Sequence, residues 1–122
     1  MHNRKVLSVL AGFVTAFAFA SLFPRNAFAE PDPKTVRTWK AKCASCHGVD
    51  GKAKTETGAK LAIPDMTTGA WQKKVSDADM KKAILDGFKR EGKPEGMDPF
   101  KDSLTPEQVD QLVAYVRTLG KS

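Results

Sequence analysis

The segment AKCASCHGVDGK, residues 41–52, contains both cysteines of the 122-residue chain, Cys43 and Cys46, followed directly by His47. Two thiols separated by two residues, with an adjacent imidazole, are compatible with a redox dithiol, part of a metal site, a cofactor attachment point or a chance cluster. Each possibility requires different further residues and a different cellular compartment. The remainder of the chain therefore decides between them.

Residues 1–29 have the layout of a secretory signal peptide. A short basic start is followed by an uncharged run over residues 6–23, and Ala-Phe-Ala at 27–29 supplies a small-residue cleavage site. We expect cleavage after Ala29 and a mature domain of residues 30–122, located in the periplasm or another extracytoplasmic space. An uncleaved membrane anchor is the alternative, because 18 uncharged residues approach the ~20 that cross a bilayer.

The composition of the mature part excludes a nucleic-acid binder. Removing the leader takes away three basic residues and no acidic one, so the formal net charge falls from +6 to +3. The scattered lysines lack the interleaved aromatic residues that stack on bases. The 93 remaining residues include five aromatic ones, and a core this modest depends on a cofactor, a metal or disulfides. A bridge between Cys43 and Cys46 would close too small a loop to contribute much.

The sequence predicts an all-α domain of three or four short helices joined by loops. The first helix is expected from Pro33 to about Lys42. A second begins with Ser76 as its N-cap and an acidic residue three positions later. Its apolar residues recur at helical spacing through Phe88, and Gly92 and Pro94 end it.

The last helix has the clearest boundaries. Thr105 is the predicted N-cap, Pro106 lies in the first turn, Gln108 completes a capping box and Gly120 ends the helix. Because glycines and a proline punctuate residues 49–71, we expect that segment to be mostly loop, and residues 92–100 to form a second, turn-rich loop.

Two interpretations of the cysteine segment lack what they require. A redox dithiol of this spacing begins a helix that follows a strand in a βαβ unit, and no strand is predicted before Cys43. A structural zinc ion normally takes four Cys or His ligands. The mature part offers only Cys43, Cys46 and His47, because His2 is lost with the leader, and completing such a site with a carboxylate is uncommon.

Covalent haem attachment requires no further cysteine or histidine. The two thiols add to the two vinyl groups of the porphyrin, and the histidine that follows becomes the proximal iron ligand. The export signal, the absence of other cysteines and the small core all agree with this chemistry. The residues therefore favour one covalent haem c, attached by Cys43 and Cys46 and ligated by His47.

Three stretches of the chain resemble a small bacterial class I c-type cytochrome. They are CASCHGVDGK (43–52), IPDMTTGAWQ (63–72) and GMDPFKDSLTPEQVDQLVAYVRTLG (96–120). The similarity covers about residues 33–121, with the first and last stretches the most specific. It implies a cytochrome c-like fold, in which short helices and loops wrap around one covalently bound haem.

A methionine is expected as the second axial ligand, because the mature part has no second histidine. Met80 lies on an apolar helix face, where it is expected to fill the core. The resemblance makes Met66 a residue that packs on the haem, and it makes the carbonyl of Pro64 the acceptor of a hydrogen bond from His47. Met97 lies in a predicted loop just before the last helix, where the family has its ligand. It is therefore the expected distal iron ligand; five-coordinate iron with an exposed loop methionine is the alternative.

The resemblance also implies that the first and last helices cross. Trp39, Leu112 and Tyr115 occupy the positions that form this crossing in the family. Thr35 stands where the family favours a glycine, so a wider crossing is expected here.

Ligation by both His47 and Met97 leaves no iron position open to a substrate, so the resemblance implies an electron carrier and no enzyme. Its expected partners are larger periplasmic or membrane-bound redox proteins, docked transiently; direct membrane association is expected only if the leader is uncleaved. Six lysines lie in segments expected to flank the haem: Lys42, Lys52, Lys54, Lys60, Lys93 and Lys101. They would either steer an acidic partner toward the haem or simply keep the loops solvated.

Other functions stay open at this stage. The chain could be a dedicated electron-accepting module of a periplasmic dehydrogenase, which differs in partner and not in chemistry. A haem-based gas or redox sensor would require Met97 to be absent from the iron or easily displaced. A haem peroxidase is disfavoured, because no distal histidine is available.

Overall fold

A computed structural model of the protein describes residues 30–121, so the predicted leader over residues 1–29 lies outside the described residues. Six helices and one strand pair are present in the described part: α1 Pro33–Lys42, α2 Ala44–His47, α3 Glu56–Lys60, α4 Gly69–Lys74, α5 Asp77–Asp86, β1 Phe88–Lys89, β2 Gly96–Met97 and α6 Pro106–Leu119. The predicted all-α class is confirmed. Between residues 30 and 121, no helix has the length and apolar character needed to span a membrane.

The first and last helices cross at a pair of aromatic side chains. The ring centroids of Trp39 in α1 and Tyr115 in α6 lie 5.5 Å apart, and the rings meet edge-on at 63°. Thr35 is only 4% exposed, and its hydroxyl donates to Oε1 of Gln111 across the crossing at 3.2 Å. The expected crossing is therefore present, and a hydrogen bond accommodates the threonine at the position where a glycine was expected.

The core forms on the apolar stripe of α6. Val109, Leu112, Val113 and Val116 are each at most 5% exposed. They pack in one cluster with residues from α1, α5 and the connecting loops, namely Trp39, Met66, Met80 and Leu104. Full burial of a side chain of this size contributes about 1.5–3 kcal/mol, so the stripe of α6 is the main apolar contribution to stability.

Helix α5 begins as predicted and ends earlier than predicted. Ser76 and Asp79 form a capping box, and hydrogen bonds from the Ser76 hydroxyl and amide lower the pKa of the Asp79 carboxyl. The helix was expected to continue through Phe88 until Gly92 and Pro94, but it ends at Asp86. The reason is Gly87, whose φ of 78° lies in the left-handed region that ends helices.

The segment expected to be mostly loop contains two short helices. Thr55 caps α3 by accepting a hydrogen bond from the amide of Gly58 at 2.8 Å, and Thr68 caps α4 through the amide of Trp71 at 3.2 Å. Each helix is only one to two turns long. Elements this short show no apolar periodicity, so a search for helical spacing does not find them.

A small hairpin replaces part of the predicted loop over residues 92–100. Its strands are antiparallel, with Phe88 opposite Met97 and Lys89 opposite Gly96. Three residues after the end of β2, the amide of Phe100 donates to the carbonyl of Ile84 in α5 at 2.8 Å. Hydrogen bonds to β1 and to α5 therefore hold the strand that carries Met97.

Arg117 of α6 joins the last helix to the middle of the chain. Its guanidinium donates to the carbonyls of Gln72 and Val75, both at 2.7 Å. It also pairs with Asp77, with 2.8 Å between Nε and Oδ1. The amide group of Gln72 in turn donates to the carbonyls of Met66 at 2.7 Å and Val116 at 3.0 Å. These bonds fix α4 and the start of α5 against α6.

Replacing the predicted cap of α6 tests how much that helix depends on it. In Thr105→Ala, the amide of Gln108 loses its acceptor, and the free energy of unfolding should fall by about 1 kcal/mol in denaturant titrations. Ser103→Ala is the matched control, since its hydroxyl bonds only to the Phe100 carbonyl outside the helix and surface changes of this kind stay within about 0.5 kcal/mol. Equal unfolding midpoints for the two variants would contradict the capping assignment.

Candidate functional site

The two cysteines and the histidine lie at the junction of α1 and α2. Cys43 ends α1, with its amide donating to the carbonyl of Trp39 at 2.8 Å, and the amide of His47 donates to the carbonyl of Cys43 at 2.9 Å. Residues spaced i, i+3 and i+4 lie on one side of a helix. The local helix therefore brings both thiols and the imidazole to the same side, and both cysteines are free.

Burial sets the protonation of two of these groups. Desolvation raises the pKa of the Cys43 thiol to about 11, so the thiol is protonated at neutral pH. Desolvation also lowers the pKa of His47, which favours the uncharged imidazole. The neutral ring is the form that binds metal ions.

The imidazole of His47 contains a buried nitrogen without a partner. Nδ1 makes no hydrogen bond within the described part of the chain, although buried polar atoms are nearly always bonded. The hydrogen bond expected from His47 to the carbonyl of Pro64 is therefore not formed. Two free thiols, an adjacent neutral imidazole and an unsatisfied ring nitrogen together form a donor set that fits a covalently attached haem.

Helix α3 packs directly against the backbone of this segment. A Cβ added to Gly58 would lie 2.8 Å from the carbonyl oxygen of Cys46 and closer still to that of Ala53. The hydroxyl of Thr55 donates to the same Cys46 carbonyl at 2.9 Å. Sequence reasoning missed Gly58, although a glycine inside a helical segment is a sign of such a close approach.

A cleft of about 460 Å³ opens beside Cys46, within the size range of ligand and cofactor sites. Cys46, Thr57 and Leu61 line one wall. Another wall comes from the hairpin region, through Pro94, Gly96 and Asp98. Three charged side chains complete the lining: Lys60, Lys89 and Glu95. The fold thus brings the cysteine segment and the hairpin, about 50 residues apart in the sequence, to one cleft.

The three methionines of the described chain fall into two groups. Met66 and Met80 are each 6% exposed and belong to the core cluster. Met97 is partly buried in β2. It lies between Gly96 and Asp98, which line the cleft, and its own side chain is not part of that lining. The structure therefore places Met97 at the edge of the cleft beside Cys46 without pointing it into the cavity.

Contacts at both ends hold the hairpin in place. At its tip, Glu95 pairs with Lys60 of α3 at 3.1 Å, and Arg90 donates to the carbonyl of Ala62. At its base, a Cβ on Gly87 would lie 2.6 Å from the carbonyl oxygen of Met97, and one on Gly96 would collide with that of Phe88. Glycine is therefore required at both positions for the strands to approach as they do.

The six lysines expected near the haem are exposed at the surface. Of the six, only Lys60 lines the cleft, where Glu95 pairs with it. The other five are exposed and lie outside the lining. Lys89 does line the cleft, and sequence reasoning missed it because the residue was assigned to a helix that in fact ends at Asp86.

The chain matches the family model of cytochrome c over residues 34–120. This chain belongs to the cytochrome c family. The predicted resemblance and the cytochrome c-like fold are thereby confirmed.

Two solved structures are similar over most of their length. The KustC0563 c-type cytochrome shares 38% sequence identity with a TM-score of 0.61, covering 70% of this chain and 95% of that one. A point mutant of the same protein gives 39% identity and a TM-score of 0.59, covering 70% and 96%. These similarities support the same fold assignment over 70% of the chain.

Curated relatives are longer proteins. The cbb3-type cytochrome c oxidase subunit FixP of Azorhizobium caulinodans is 33% identical over 87 residues, and the subunit of the same name from Sinorhizobium medicae is 33% identical over 88 residues. The alignments cover 71% and 69% of this chain, but 27% and 28% of those subunits. The chain therefore spans about a quarter of the length of the curated relatives it matches.

Family membership establishes the cofactor. Members bind covalent haem c, and Cys43, Cys46 and His47 fit the Cys-x-x-Cys-His attachment motif. The predicted haem c is confirmed, and the chain is a haem protein of a family of electron carriers.

The contact between α3 and the attachment segment can be tested with two glycine variants. Gly58→Ala should lower the thermal unfolding midpoint and the yield of haem-containing protein, because the added methyl group collides with the backbone of Cys46 and Ala53. Gly69→Ala is the control, since a Cβ at this helical position meets nothing within 4 Å, and alanine there should be neutral or slightly stabilising. If both variants kept wild-type stability and haem content, α3 would not pack as described.

Proposed function

We propose that this protein is a periplasmic one-electron carrier in which Cys43 and Cys46 attach a single haem c and His47 and Met97 ligate its iron. The observation that carries the proposal is the shared cleft, with Cys46 on one wall and the strand that holds Met97 at the other. Residues 1–29 would be a secretory leader, cleaved after Ala29, and residues 30–122 the haem domain. The protein would associate with a membrane only if the leader were retained.

The attachment side of the site depends on a rigid local helix. Cys43, Cys46 and His47 share one helical side, so one short segment presents two nucleophilic sulfur atoms and one neutral imidazole together. Because burial keeps His47 uncharged, its lone pair is available to iron without prior loss of a proton. Helix α3, packed through Gly58, supports the backbone of this segment from behind.

The positions of the three methionines support Met97 as the proposed distal ligand. Met66 and Met80 are enclosed in the apolar core, where each contributes packing that would be lost if its sulfur turned outward. Met97 is held at the mouth of the cleft by the strand pair and by the hydrogen bond from Phe100 to Ile84. It is therefore the methionine whose sulfur can reach a bound haem with the least rearrangement.

The chemistry supplied by a bound haem c is the reversible uptake of one electron at iron. If His47 and Met97 both held the iron, no position on it would remain open to a substrate, and we therefore propose that the protein is not an enzyme. A methionine ligand favours a higher reduction potential than a second histidine would. The apolar residues around the attachment segment, Trp39 among them, would act in the same direction by keeping water away from the site.

Larger periplasmic or membrane-bound redox proteins are the proposed partners. Similarity to oxidase subunits supports a respiratory complex as one such partner. Lys89, which lines the cleft, would favour an acidic docking surface on the partner, and such docking weakens as salt screens the charges.

The assignment of Met97 can be tested against the other two methionines. Met97→Leu should abolish the weak far-red absorption band that a methionine–iron(III) bond produces in the oxidised protein. Met66→Leu and Met80→Leu are matched controls, since they make the same substitution in the buried core, and they should retain the band at a stability cost below about 1.5 kcal/mol.

A wild-type protein without the far-red band would contradict ligation by Met97. If such a protein also bound carbon monoxide readily when reduced, a gas sensor would replace the electron carrier as the best-supported function.

Covalent attachment is tested separately by removing the thiols. Wild-type protein, matured in cells that export and attach haem, should retain its haem stain on denaturing gels, because thioether bonds survive detergent. Cys43→Ala combined with Cys46→Ala should lose the stain, and each single variant should retain one of the two bonds. Haem that stays on the double variant would show that these cysteines are not the attachment points.

A further inference from the structure

The indole of Trp39 makes a hydrogen bond that its position in the helix crossing does not require. Its Nε1 donates to the carbonyl oxygen of Gly48 at 3.1 Å, in a buried position. Gly48 is the residue directly after His47. Phenylalanine or leucine could fill the crossing equally well, but neither has a donor to reach this carbonyl.

The same ring lies beside the imidazole of His47. Their centroids are 5.9 Å apart with planes inclined at 37°, while the opposite contact of the indole is with Tyr115 of α6 at 5.5 Å. Trp39 is 3% exposed, so the ring has little room to move. One rigid side chain therefore connects the last helix to both the side chain of His47 and the backbone that follows it.

The Gly48 carbonyl lies where the chain has to be held. Helix α2 ends at His47, and the last carbonyls of a helix have no partner within it. Gly48 turns the chain with φ of 79° and ψ of 155°. The carbonyl of His47 accepts from the amide of Ala53 at 2.8 Å, and that of Gly48 receives a longer bond from the amide of Gly51 at 3.3 Å. Of the two hydrogen bonds to the Gly48 carbonyl, the one from the indole is shorter. Its donor lies in a different helix, α1.

We propose that Trp39 is a positioning residue for the proximal iron ligand. Its indole N–H fixes the backbone on the C-terminal side of His47, and its ring limits rotation of the imidazole, so that together they set the orientation of His47 toward the iron. The inference rests on the proposed function, in which His47 ligates haem c. Groups that hold a metal ligand from behind influence the metal centre, although they do not touch the metal.

The test compares Trp39→Phe with Thr105→Ala in the haem-containing protein. The first variant keeps an aromatic ring in the crossing and removes the donor, while the second removes one hydrogen bond at the far end of α6. Both should lower the unfolding midpoint. Only Trp39→Phe should shift the midpoint potential. In a Met97→Leu background, it alone should shift or broaden the iron–histidine stretching band in the resonance Raman spectrum of the reduced protein.

An unchanged Raman band in Trp39→Phe would overturn the proposal even if stability and potential both changed, because a role in packing and water exclusion alone predicts that result. Failure of the proposed function can be distinguished from failure of this inference. It would already be seen in the earlier experiments, as a missing haem stain or as a far-red band that persists in Met97→Leu.

A second measurement applies if Trp39→Phe does not accumulate with haem. In ¹⁵N-labelled wild-type protein, the indole protons of Trp39 and Trp71 can be compared by hydrogen exchange, since no indole hydrogen bond is found for Trp71 within residues 30–121. The Trp39 proton should exchange up to about fivefold more slowly, the factor that corresponds to about 1 kcal/mol for one net hydrogen bond. Equal exchange of the two protons would overturn the proposal.

Discussion

The contact between α1 and α6, centred on Trp39 and Tyr115, is the interaction on which the rest of the structure depends. Helix α1 runs directly into Cys43 and α2, so whatever holds α1 also holds the attachment segment. The buried valines and leucine of α6 hold it through the core. The contact thereby joins the short attachment segment to the most strongly packed helix of the domain. Alone, that segment could not keep a defined shape.

The second wall of the cleft is held by different means. The hairpin that carries Met97 adds no residue to the buried core, and only two residues pair on each strand. Its position depends instead on backbone approaches that glycine permits at 87 and 96, and on polar contacts to α3 and α5. Polar surface contacts of this kind are weak individually, so this wall is held less firmly than the attachment segment.

This asymmetry agrees with the chemistry of the two proposed iron ligands. His47 lies in the attachment segment beside the two cysteines, and Trp39 contacts both its ring and the backbone that follows it. Met97 lies in the hairpin that smaller contacts hold, between two residues that line the cleft, so a thioether ligand proposed there would be able to adjust its position. If the haem occupied this cleft, it would contact both walls and add buried surface to a domain whose core is small.

The amino-acid sequence by itself determined α1, the start of α5, the whole of α6, and the chemistry of Cys43, Cys46 and His47. These features depend on neighbours within four residues: Asp32, Ser76 and Thr105 as caps, the helical spacing of the α6 stripe, and the attachment motif. Tertiary structure alone decided the end of α5 at Gly87, the hairpin around Met97, the approach of α3 through Gly58, and the bond from Trp39 to Gly48. The last three depend on backbone groups that meet only after the chain has packed. At Gly87, the apolar residues keep their helical spacing as far as Phe88, so the sequence pattern does not predict the turn that the folded backbone makes there.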